Sequence, residues 1–192
     1  YTEEIHPVGC CGLKESVHLI SQLIAFSMFE SNSSLLAREK YMDIVKSMSE
    51  DRVEDFVVSN YYYIEHTTYS LSFCHRTIYE YFVAEYIYNI LYINDEKEVV
   101  AERLAYLFKK NLLSIEILQF LKYKLDRNCV GKERMYLLIE AAANLMIHNG
   151  MTFYLRERIE DILKVESLIF RNINLILDSY FIVANGNNYK NI

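Results

Sequence analysis

The stretch YSLSFCHRTIYEYFVAEY, residues 69 to 86, changes its hydrophobic period halfway along, and that change decides the fold. Tyr69, Leu71 and Phe73 alternate with Ser70, Ser72 and Cys74, the period of two that turns one face of a strand to a core. From Thr77 onward Ile78, Tyr81, Phe82 and Val83 follow helical spacing instead. Tyr61, Tyr62, Tyr63 and Ile64 are strand formers as well, so with Glu65 to Thr68 as the loop the reading is a β-hairpin that runs straight into a helix.

Upstream of the hairpin the chain reads as three helices. Val17, Ile20, Ile24 and Met28, with Leu19 and Leu23 alongside, form an apolar stripe between Lys14 and Glu30, and the run Ser31, Asn32, Ser33, Ser34 breaks it. A second helix is expected over about Leu35 to Met48. Ser49 is a good N-cap for a third, reaching Ser59, with Glu50 and Asp51 in the first turn where the helix dipole favours acids. Three helices and then one hairpin is the order of a winged helix, placed here at 13–93 and preceded by a linker at 1–12.

Downstream the pattern is helical throughout. Asp95 and Glu98 give an acidic start to a helix ending near Lys110, and Ser114 to Asp126 carries Ile115, Leu118, Leu121 and Leu125 as one face. Lys132 to His148, Thr152 to Lys164 and Ser167 to Val183 complete the set, with Gly131 and Asn149-Gly150 as interruptions. The expectation is a mainly α chain: a winged helix with one β-hairpin, then a helical domain at 94–184 built as an antiparallel bundle or a short superhelical arm. Residues 185–192, NGNNYKNI, read as a polar tail or the start of a further module.

Composition narrows the function. The 192 residues include only one proline and 5 glycines, which favours long helices, and the net charge of -6 gives no electrostatic footprint for nucleic acid or an anionic membrane. The longest uncharged run, Ser16 to Phe29, falls short of the roughly 20 residues that a spanning helix needs. Four cysteines at irregular spacing do not form a disulfide framework, and a reduced, cytoplasmic setting is expected. His6, Cys10, Cys11 and His18 are metal-ligand types, but adjacent cysteines lack the gap of a zinc knuckle, so no metal site is assigned. The chain opens at Tyr1 rather than at a methionine and reads as part of a longer polypeptide.

Three residues of the opening stretch are candidates for specific roles. Thr77 and Glu80 have the Thr-x-x-Glu spacing of a capping box, which gives the Glu80 carboxylate a structural task at the helix start. His75 lies just before that start, where free amides and the helix dipole favour anions, phosphate above all.

The run Phe73, His75, Thr77, Ile78, Glu80, Tyr81, Phe82, Ala84 is similar to a signature near the end of the winged-helix domain of NACHT-type STAND NTPases, the NLR-like proteins. The segment ISQLIAFSMFESNSSLLAREKYMDIVKSM resembles the helical lead-in of that domain. The resemblance implies that His75 reaches the phosphates of ADP bound in an upstream NACHT nucleotide-binding domain and holds the protein closed. It implies a parent NTPase that uses ADP or ATP with Mg, couples nucleotide state to sensing of a ligand or protein, and oligomerises on activation. Arg76 falls at a variable position of the signature and inherits no role.

This chain itself departs from such an NTPase, because it has no G-x-x-x-x-G-K-[ST] loop: NCVGKER offers Gly131-Lys132 without the upstream glycine or the following hydroxyl. No nucleophile elbow, H-E-x-x-H helix or other catalytic signature occurs, so the fragment is not expected to be an enzyme or to hold a cofactor of its own. A winged helix can also read DNA. Here, however, the third helix, SEDRVEDFVV, sets four acids against Arg52, a face that repels phosphate. A DNA-binding regulator and a plain helical scaffold therefore stand as the alternatives, and no nucleic-acid or membrane partner is expected.

Overall fold

The computed structural model describes residues 10–48, 64–66, 69–92, 97–127, 164 and 167–175. Helix α1 spans Cys10–Glu30, strand β1 Leu36–Ala37 and helix α2 Arg38–Met48. Strands β2 (Ile64–His66) and β3 (Ser70–Phe73) then form the hairpin, and α3 (Arg76–Tyr92), α4 (Lys97–Phe108) and α5 (Ile115–Arg127) follow. The expected third helix at Ser49 to Ser59, Tyr61 to Tyr63, the helix expected at 132–148, the one expected at 152–164 apart from Lys164, and the tail lie outside the described residues, as does His6.

The chain is mainly α with a winged-helix-like frame. The sheet has the order β1-β3-β2, both pairs antiparallel, with Leu36 opposite Leu71 and Ile64 opposite Phe73. Leu71 and Phe73 turn inward from β3 while Ser70 and Ser72 are half-buried, as the period of two requires. Two expectations are corrected here. Glu65 and His66 belong to β2 rather than to the loop, and Leu36 and Ala37 form a third strand where a helix start was expected. The reason is burial: Leu36 sits in the core against β3, and Arg38 donates its amide to the Tyr69 carbonyl, which fixes α2 one residue past the strand.

Helix α1 ends for a local reason. Asn32 has φ 50°, the left-handed conformation that Asn tolerates better than most residues. Its amide reaches the Phe29 carbonyl and that of Ser33 reaches Met28, the pair of bonds that defines a Schellman cap. The cap turns the chain back so that Leu36 meets the hairpin. Within α1, Ile20, Ile24 and Met28 are buried as expected, but Leu19 lies on the exposed side.

Helix α3 is the hub. Phe82, Val83, Ala84, Ile87, Ile90 and Leu91 are all buried, so the helix is apolar around most of its circumference and has neighbours on several sides. Helix α1 packs on one side and α5 on another. Contacts between α3 and α5 advance together, Glu80 with Ser114, Tyr81 with Phe120 and Glu85 with Lys124, so the two helices run in the same direction. On α5 the buried face is Ile117, Leu118, Leu121 and Leu125, whereas Ile115, expected in that face, is exposed. Buried residues from α1 through Ile169 and Ile173 join one continuous core.

Candidate functional site

The β3-to-α3 corner holds the residues singled out from sequence. Phe73 is pinned in the core by the strand, and Cys74 and His75 make the bend out of it. The His75 carbonyl accepts the amides of Ile78 and Tyr79, so His75 is the N-cap and the helix begins at Arg76. This corrects the capping box. With the cap at His75, Thr77 stands inside the first turn and is exposed, and Glu80 is two positions too far along to reach back to the cap amide. The buried end of β3 sets where the chain leaves the sheet, and that exit point overrides the local Thr-x-x-Glu pattern.

Glu80 serves another partner set. It is 2% exposed, and its Oε1 accepts from Arg76 Nε at 2.9 Å and from Ser114 Oγ at 3.0 Å. Ser114 is itself the N-cap of α5, since its hydroxyl and carbonyl accept the amides of Ile117 and Leu118. One buried carboxylate thus joins the first turn of α3 to the first turn of α5. Arg76 and Glu80 border a cleft of about 410 Å³ whose walls come from the end of α1, β3, α3 and the start of α5. His75 and Thr77 do not line it. The His75 side chain is exposed at the same corner, outside the cleft.

A second polar cluster sits farther along α3. Buried Glu85 accepts from His18 Nε2 on α1 at 3.1 Å and pairs through Oε1 with Lys124 Nζ on α5. The Lys124 ammonium also lies over the rings of Tyr81 and Tyr88, at 5.5 and 5.2 Å from their centroids. Burial, reinforced by the Lys124 charge, holds the His18 imidazole below its ordinary pKa. One turn on, Asn89 donates to the buried Gln22 at 2.8 Å. Burial pushes the Tyr79 phenol up to about 12, with the Glu80 charge adding to the shift.

The third cluster secures the link between α4 and α5. Asn172 is fully buried; its Nδ2 donates to the carbonyls of Phe108 and Asn111, and its Oδ1 accepts the Leu113 amide. Beside it, Asn111 donates to Asn32 of the Schellman turn, and Tyr106 and Lys110 both hold Glu30 at the end of α1.

Of the residues chosen from sequence, the structure brings Glu80 into a cleft with Arg76 and places His75 beside that cleft. Ser114, Glu85, Lys124 and Asn172 carried no visible signal, because their partners are distant in sequence. The spacing of Arg76 and Glu80, one helical turn, is the one clue that was present in the chain. Among the described residues no group of His, Cys, Asp and Glu side chains is arranged to hold a metal, and no helix is long and apolar enough to cross a membrane. Comparison with known families, with curated proteins and with solved structures finds no match to the chain.

Proposed function

We propose that this chain is the regulatory part of an NLR-like signal-transduction NTPase, in which a winged helix and the helical arm behind it couple nucleotide state to sensing or oligomerisation. The observation that carries the reading is the position of His75: an exposed imidazole at the N-terminus of the 17-residue α3, on the corner where the hairpin delivers the chain. An anion docking there meets the free amides of the first turn and the positive end of the helix dipole, and the imidazole adds a donor. The same helix carries the arm, because α5 is fastened to it by Glu80 and Glu85. A contact made at His75 therefore acts on an element that cannot move alone. In this reading ADP and Mg belong to the upstream nucleotide-binding domain of the parent, and this chain supplies no phosphate cradle.

The test uses the full-length parent. The capping role of His75 resides in its carbonyl, so His75→Ala keeps the cap and is expected to leave the melting temperature unchanged. It is expected to weaken retained ADP by about 1 to 3 kcal/mol, the range for a charge-assisted hydrogen bond. An early-melting His75→Ala protein that keeps its ADP, or a wild type that carries no nucleotide, overturns the proposal.

A further inference from the structure

We draw no further inference here: the strongest candidate, the groove between α1, α3 and α4 walled by Phe26, Tyr86, Ile90 and Tyr106, carries both signs of charge, Glu102 against Arg103 and Lys109, and nothing in the structure shows what covers it.

Discussion

Replacing Asn172 with alanine tests what holds the link between α4 and α5. The carboxamide makes three hydrogen bonds, at 2.9 Å to the Phe108 carbonyl, 2.8 Å to the Asn111 carbonyl and 2.9 Å from the Leu113 amide. Its exposure is 0%, so each backbone group would be left without its partner in the interior. A lost bond with a stranded buried partner costs about 1 to 3 kcal/mol. Water entering the space left by the side chain would restore part of this, so the expected loss for Asn172→Ala is about 3 to 5 kcal/mol. Against a typical domain stability of about 5 to 15 kcal/mol, this is a large fraction. Urea unfolding followed by circular dichroism measures it. Asn172→Asp is expected to be at least as damaging, because it removes both donors and points charge at two carbonyls. A loss below about 1 kcal/mol for Asn172→Ala would show that the α4–α5 link satisfies its own backbone and that the clamp is incidental.

Two further outcomes concern the cluster around Glu85. Lys124→Met leaves a buried carboxylate without its cation and is expected to destabilise by about 3 kcal/mol, whereas the double change Glu85→Leu with Lys124→Met is expected to return to near the wild-type value in the same urea assay. Equal losses for the single and double variants would refute the pairing. The His18 imidazole has a folded pKa below its unfolded one, so the unfolded chain takes up the proton more readily. Stability from this group is therefore complete above the unfolded value near 6.5 and declines as pH falls through the interval down to the folded value. Melting temperatures between about pH 7.5 and 5.5 should fall for wild type, and less steeply for His18→Gln. Identical slopes would remove His18 as the cause.

The sequence was legible where structure is periodic and local. Ile20, Ile24 and Met28 share a face because their spacing follows the helical repeat, and Leu71 and Phe73 share one because strands repeat every two residues. Legibility failed where a distant contact decided a local question. Nothing within Leu35 to Arg38 marks a strand; only pairing with β3, more than thirty residues on, makes Leu36 and Ala37 extended. The Thr77 and Glu80 pattern was a genuine capping signature that lost to the exit geometry of β3. Ile115 and Ile117 are both plausible members of an apolar face, and the choice fell to Ile117 because the Ser114 cap fixes where α5 starts and so its rotation. His75 could be placed at a helix start from sequence, but the cleft beside it could not, since its walls come from four separate elements.

Helix α3 has two polar attachments to α5 besides its apolar packing on that helix, and they lie at different distances from the His75 end. Glu80 meets Ser114 at the start of α5, and Glu85 meets Lys124 near its end, about 15 Å apart along α5 and about 7.5 Å apart along α3 at the α-helical rise. Because His75 caps α3 beside the first attachment, a contact of the kind proposed there would act on the first turn and on the Glu80 bonds to Arg76 and Ser114, while the buried Glu85 and Lys124 pair farther along α3 would stay as the pivot.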